Sequence, residues 1–520
     1  MGSDLKKKIV VVGGGTAGWI SALYAKNAFL LADVTVIESK DIGILGAGEG
    51  TVPDFVSFTD FLGIPISLLV KEADATIKTS VKFTNWAEEG SVYHHPFHAE
   101  GNLGLDGCNT YNPYILDTNV GITLNALKNG KTASIDISEA CGKSKKVPFR
   151  YNGSITDWQM DPIFGYTAAS SWSVHFNAVK LAVLLKKIGI ERGITVKDGI
   201  VESVNSNDNK GIESLQLSDG TVQYADFVID CTGFSRLLIG KHFNSEWISY
   251  KDKLTVDSAL PFFLPIEEDI PPYTEAIAMK YGWMWKIPTK ERYGCGYVFD
   301  STFTSEEEAA LEIEEFLGFV PEYPRKTKGA FTFQAGCYKT PWVKNCLSVG
   351  LSSGFIEPLE ATSIWMTILT LKEVFSNLNS IYEQDSRHVE EVNNRFVERN
   401  TNIKNFLYFH YMSNRSDTEF WKQYTYENAP SEIQKMLDRW DYRAPSYSDY
   451  DSDLFKLNSW MMVARGTNQL NLDVLEKTSN ANYFEMKAGS SYFGKADSID
   501  NAVREFSTHR EFLENLRNEK

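Results

Sequence analysis

The first forty residues constrain this chain more than any other stretch. Residues 8–12 read KIVVV, an unbroken apolar run, followed at once by Gly13-Gly14-Gly15-Thr16-Ala17-Gly18 and an apolar segment to about Phe29. A second apolar run, VTVIE, fills residues 34–38. Buried strand, glycine turn, helix and second buried strand make a β-α-β unit. The three glycines of G-x-G-x-x-G have separate roles: Gly13 permits the tight turn, Gly15 lets backbone approach a pyrophosphate, and Gly18 lets helix and strand pack closely. The first helical N–H groups, at Thr16 and Ala17, then face the phosphates. Glu38 closes the second strand, where a carboxylate binds ribose hydroxyls.

Beyond this unit, HFNAVKLAVLLKKIGIERG (175–193) reads as a helix and ITVKD (194–198) as a strand. Short strands follow in IVESVNS, IESLQLSDGT and ADFVIDCTG, with an Asp219-Gly220 turn. Residues 255–300 are rich in strand-formers and aromatics, and after Pro358 the pattern turns helical. The expected fold is α/β with α+β elements. It has a Rossmann-type module over residues 1–365, interwoven with strand-rich segments at about 75–170 and 245–340, then a mostly helical region at 366–520.

The net charge of −16 disfavours a nucleic-acid backbone or an anionic membrane as partner. No apolar run approaches the roughly 20 residues that span a bilayer. No signal-peptide pattern precedes the first strand, so the expected compartment is the cytoplasm. The six cysteines form no C-x-x-C pair. His94 and His98 show no metal-partner pattern, so no metal site is expected.

Two later segments separate FAD from NAD. Asp230-Cys231-Thr232-Gly233 follows a strand and resembles the second dinucleotide-contacting segment of FAD-dependent aromatic hydroxylases. CLSVGLSSGFIEPLEATS (346–363), with Gly350 and Gly354, resembles their third. Pro358 suits a first helical position there, putting a helix N-terminus against the flavin. A second complete fingerprint for NAD(P)H is absent from the sequence. Reduced FAD is therefore expected from a separate NAD(P)H-dependent flavin reductase.

Several blocks together are similar to those of the flavin-dependent halogenases, the group that contains the tryptophan halogenases. Trp283-Met284-Trp285-Lys286-Ile287-Pro288 matches a W-x-W-x-I-P signature. GGGTAGW, with Trp19, matches the family's glycine loop, and Gly48-Glu49-Gly50-Thr51-Val52-Pro53 its G-E-x-T-V-P block, which places Glu49 at the cofactor. His95-Pro96-Phe97 matches a substrate-pocket segment, GLSSGFIEPLE (350–360) the late flavin and halide loop, FHYMSNRSDTEFW (409–421) a helical block, and NSW with Trp460 a weaker C-terminal one.

The resemblance implies a fold of the aromatic-hydroxylase kind. It also implies an activity: reduced FAD and O₂ oxidise a halide ion to hypohalous acid, which halogenates a small electron-rich aromatic substrate. Lys78 matches the catalytic lysine that orients the halogen, with Lys82, four residues on, as competitor on a shared helix face. Glu360 matches the catalytic glutamate, with Glu357 as a structural acid. Thr362 and Ser363 match the halide-binding turn. Ser363 stands where the family usually has Gly, and Ala361 where it has Ser. These departures favour bromide or iodide over chloride. Trp283 and Trp285 would wall flavin from substrate. Two rivals remain: an FAD-dependent aromatic monooxygenase and a non-catalytic FAD-binding protein. The substrate stays open among tryptophan, other indoles, phenols and a carrier-tethered pyrrole. Monomer and homodimer stay open too.

Overall fold

A computed structural model describes residues 6–29, 31–43, 49–97, 137–148, 172–323, 330–383, 385–446, 449, 454–481, 503–504 and 506–518. Gly48, His98, Cys108 and part of the 443–457 stretch lie outside these. The chain divides into two compact units. One comprises residues 1–74, 176–252 and 333–401, the other 75–175, 253–332 and 402–520. Borders thus fall inside the expected module, and the helices after residue 365 are shared between the units.

The first unit is built on a six-stranded sheet in the order 342–343, 346–348, 227–230, 7–12, 32–38, 195–198. All pairs are parallel except 342–343 with 346–348. Strand Lys7–Val12 lies between its sequence neighbour and a strand more than 200 residues later, with Ile9 opposite both Val34 and Phe227. In such sheets the ligand crevice opens where the strand order reverses, at the carboxyl ends of the strands. Val10, Val12, Ile37 and Val228 fill one face against Ile212, Leu215 and Leu217 of a smaller antiparallel sheet. Helix Ala178–Glu191 starts where Asn177 accepts hydrogen bonds from the N–H groups of Val179 and Lys180, an N-cap that ends the preceding strand Ser173–Phe176.

The second unit centres on a seven-stranded sheet in the order 331–332, 258–265, 292–299, 282–288, 273–279, 80–84, 92–96. Alternation along the strands separates two faces. Phe262, Met284, Tyr293, Cys295 and Tyr297 share one face with Ala309, Ala310 and Ile313 of helix Glu306–Leu317. That helix is framed by a Ser305–Glu308 capping box and by Gly318 at φ 75. Trp283, Trp285 and Ile287 take the opposite face of strand Gly282–Pro288. FHYMSNRSDTEFW is a packing block in this unit: Trp421 donates to the Met279 carbonyl at 2.9 Å, and Tyr411, Phe420 and Tyr424 close around it. No single helix among the described residues is long and apolar enough to cross a membrane.

Candidate active site

The nucleotide end belongs to the first unit, where strands 7–12, 32–38, 227–230 and 346–348 finish on one edge of the sheet. Gly13 has φ 118, and a Cβ there would lie 2.2 Å from the Cys231 carbonyl oxygen. A Cβ on Gly18 would lie 1.9 Å from the Gly13 carbonyl oxygen, so both glycines are obligatory for close packing. A Cβ on Gly15 would meet nothing within 4 Å. Gly15 also N-caps helix Thr16–Ala28 with no side-chain cap. The Thr16 hydroxyl is buried without a hydrogen-bond partner among the described residues. Open space, uncapped helical N–H groups and an orphaned hydroxyl converge where a pyrophosphate would lie, so this cradle fits a dinucleotide. Gly350, at φ 63, lets its loop come against Ala17, since a Cβ would lie 2.8 Å from the Ala17 methyl.

Glu38 ends its strand as expected, and its carboxylate is already engaged. The Trp19 indole N–H donates to one oxygen at 3.2 Å, and the Lys186 ammonium pairs with the other. Trp19 is therefore a buried packing residue that also orients Glu38. Lys186 gave no signal in the sequence, because helix and strand meet only in the fold. Asp230 is fully buried, and its carboxylate accepts from the N–H groups of Thr232, Leu238 and Ile239 and from the Thr232 hydroxyl. Its side chain shapes the loop after the strand. Glu49 precedes helix Pro53–Phe61, and burial pushes its carboxyl up to about 7.

The late loop departs from the sequence reading at Pro358, which is exposed and lies before the helix. The Ala361 N–H donates to the Pro358 carbonyl at 3.1 Å, closing a turn. Ala361 is left-handed at φ 57, and the helix runs from Thr362 to Ser376. The left-handed residue breaks helical geometry, so the first turn starts four residues later than expected. Ser363 is exposed in that first turn and is not among the positive-φ residues. Glu357 and Glu360 are both buried, so burial does not separate them. Gly354 sits in strand Gly354–Phe355 beside Cys337.

Lys78 lies in the second unit, at the end of strand Thr76–Lys78, and is only 1% exposed. Its ammonium nitrogen sits 5.1 Å from the centre of the Phe97 ring. The expected shared helix face does not exist. Lys82 lies on the next strand, Ser80–Thr84, and is ion-paired with Glu275 at 2.8 Å. The density of β-branched residues (Thr76, Ile77, Thr79, Val81) favours strand here. Around the lysine, Thr79 donates N–H and hydroxyl to the Pro272 carbonyl, and Phe97 donates its N–H to the Thr79 carbonyl at 3.2 Å.

His175 and His509 flank this strand, and both are fully buried. Burial, with the charge on Lys78 adding to it, holds His175 well below the usual imidazole range. Burial lowers His509 to about 3. Sequence reasoning passed over both residues: the bond from the Ile77 N–H to His509 joins positions 432 apart.

His95 and Pro96 are buried at the end of strand Val92–Pro96. The His95 ring lies 5.6 Å from Phe406 and 6.4 Å from Phe455. Trp460 packs into the same cluster, 5.0 Å from Phe406, and donates its indole N–H to the Phe455 carbonyl at 3.2 Å. Trp283 and Trp285 are buried side by side, centroids 6.3 Å apart. Gly296 opens the space for Trp285, whose ring would lie 2.1 Å from a Cβ there. Among the described residues, no group of three His, Cys, Asp or Glu is placed to hold a metal ion.

A glycine cradle at the switch point of a parallel sheet, facing an orphaned hydroxyl, defines a dinucleotide-binding protein of the Rossmann class. The sequence model described as tryptophan halogenase matches residues 8–479, and the chain belongs to that family of flavin-dependent enzymes. It is 33% identical to the tryptophan 7-halogenase RebH of Lentzea aerocolonigenes, over 84% of this chain and 82% of the relative. It is 30% identical to the tryptophan 6-halogenase SttH of Streptomyces toxytricini, over 89% and 90% of the two chains. The crystal structure of SttH superposes with a TM-score of 0.85 at 28% identity, covering 98% of this chain and 99% of that one. Tar14, a tryptophan C-6 flavin-dependent halogenase from taromycin biosynthesis, gives 0.84 at 28% identity, covering 98% and 100%.

Proposed function

We propose that this chain halogenates a small electron-rich aromatic compound, with Lys78 presenting the halogen. The observation that carries this is the lysine's burial. Lysine is almost never fully buried, because removing its charge from water is costly, so a buried lysine beside an aromatic ring is a strong candidate for chemistry. FAD, held by the cradle in its reduced form, would supply the electrons that let O₂ oxidise a halide ion. Gly13, Gly15, Thr16, Ala17 and Gly18 would hold its pyrophosphate. Glu38 would take the ribose in company with Trp19 and Lys186, Gly350 and Gly354 would form the late flavin loop, and Glu49 would lie close by. An ammonium can hydrogen-bond hypohalous acid and aim its halogen at a ring carbon. Glu360 would stabilise the ring cation and take up its proton. Phe97, with His95 behind it, would offer ring surface to a flat substrate.

The halide reading rests on helix Thr362–Ser376, whose N-terminus carries no side-chain cap. Uncapped N–H groups and the helix dipole favour an anion. Ala361 cannot offer the hydroxyl that serine would, so strongly hydrated chloride loses more than bromide or iodide. Equal chloride, bromide and iodide in competition should give mainly bromo or iodo product; predominantly chlorinated product contradicts this. A separate NAD(P)H-dependent flavin reductase completes the system. Buried cysteines outside disulfides, at Cys295, Cys337 and Cys346, suit a reducing cytoplasm.

The lysine assignment is tested by Lys78→Ala beside Lys82→Ala. The first should lose at least about 100-fold in halogenated product while binding FAD normally. Lys82→Ala as the inactive variant, with Lys78→Ala turning over normally, would reverse the assignment.

A further inference from the structure

The strand that carries Lys78 is only three residues long, too short to hold a side chain rigidly by ladder bonds alone. Its partner is strand Ser173–Phe176, in antiparallel register, with Thr76 opposite His175 and Lys78 opposite Ser173. Thr76 and Lys78 are two residues apart and share one face. The Thr76 hydroxyl donates to the Pro288 carbonyl at 2.7 Å. Its single proton is thereby used, so its oxygen accepts from His175 Nδ1, 3.0 Å away. That fixes the tautomer: His175 Nε2 is bare and accepts from the Thr274 hydroxyl at 2.9 Å.

Ile77, between Thr76 and Lys78, turns its backbone N–H to a side chain. It donates to His509 Nε2 at 2.8 Å, and His509 Nδ1 donates to the Ile270 carbonyl at 3.2 Å. His509 opens helix His509–Asn518. That helix is seated by the His509 N–H on the Lys145 carbonyl at 3.1 Å and by Arg510 on the Glu267 carbonyl at 3.0 Å. It lies beyond residue 479, where the family match ends. Both imidazoles are thus neutral, fully buried, and bonded through both nitrogens.

We infer that His509 and His175 are positioning residues for the reaction at Lys78, clasping its strand from two sides. The inference rests on the reading of Lys78 given above. Halogen transfer needs the ammonium held at a fixed point, and misplacement by about 1 Å costs on the order of 100-fold. Burial of the flanking peptide without its partner would let the strand shift.

The test uses the full chain with FAD, a flavin reductase, NADH, bromide and indole as the aromatic probe. Product per flavin reoxidised, KM for indole and FAD affinity are measured. His509→Leu keeps the volume and removes the acceptor. It should lower product per flavin by about 10-fold or more, leaving KM and FAD affinity within about twofold. His509→Gln supplies an acceptor and a donor and should recover most of the yield. A folded Leu variant with wild-type yield overturns the inference, as does equal loss in Leu and Gln. Should the Leu variant not fold, Thr76→Val and Thr76→Ser read the other side of the clasp. Val should lose yield and Ser should keep it; equal yields overturn the inference. Lys78→Ala is the control. If it keeps its yield, the reading of Lys78 itself falls and the clasp has nothing to position; if it is inactive while the histidine variants are normal, only the clasp falls.

Discussion

Thr16 offers the sharpest residue-scale test of the cofactor cradle, because its buried hydroxyl has no partner among the described residues. An unsatisfied buried hydroxyl costs free energy that a bound phosphate oxygen would relieve. Thr16→Val keeps the shape and removes the hydroxyl. FAD affinity should fall by about 0.5–1.5 kcal/mol, roughly two- to tenfold, with thermal stability of the free protein unchanged or raised. Fluorescence titration with FAD decides it, and an unchanged Kd would place the phosphates elsewhere. Gly13, Gly15, Gly18 and Glu38 were legible in the sequence because their roles are local backbone chemistry at fixed spacing. Lys186 and His509 were not. Each meets its partner across a long loop of chain, 148 residues for Lys186 and Glu38 and 432 for His509 and Ile77. Asp230 was legible as a position, yet its carboxylate proved to be spent on four bonds to its own loop.

At the scale of elements, the loop before helix Thr362–Ser376 shows what spacing alone cannot give. Pro358 suggested a helix start, but the left-handed Ala361 delays it to Thr362. Ser363 stands where the family usually has Gly, yet the left-handed position in this loop is Ala361. Alanine in the left-handed region costs about 1–2 kcal/mol, and glycine escapes that cost. Ala361→Gly should therefore leave stability equal or raise it. Ser363→Gly, in an ordinary helical first turn, should lower it by about 0.5–1 kcal/mol. Thermal unfolding of the two variants checks this; the opposite order would put the strain at residue 363. The strand around Lys78 was misread for a related reason. Two lysines four apart suit a helix face, and only the pairing of Thr76–Lys78 with Ser173–Phe176 and the Lys82–Glu275 ion pair tell them apart.

The whole molecule carries buried neutral histidines whose effect adds up. Burial lowers His94 to about 4 and His509 to about 3, and lowers His175 as well. An unfolded histidine titrates near 6.5, so between that value and the folded one the unfolded chain binds more protons and stability falls as pH falls. From pH 7 to pH 5, His94 and His509 should each remove about 2 kcal/mol. Glu49 acts in the opposite sense. Its carboxyl, raised to about 7, adds stability below its unfolded value and loses it as pH rises through 7. His242 is lowered by burial and Glu312 raised by it, so among the described residues four imidazoles oppose two carboxyls, and the urea midpoint should fall on acidification over this range. A flat midpoint would mean that the histidines gain protons within the fold.

The central claim is that the cradle in one unit and the buried Lys78 in the other serve halogen transfer to an aromatic ring. Mass spectrometry of an aromatic panel incubated with the protein, FAD, a flavin reductase, NADH, O₂ and each halide in turn tests it most directly. The account predicts products that carry the halogen supplied, that vanish without halide or without the reductase, and that are lost in Lys78→Ala. Oxygenated products formed equally well without halide would contradict it.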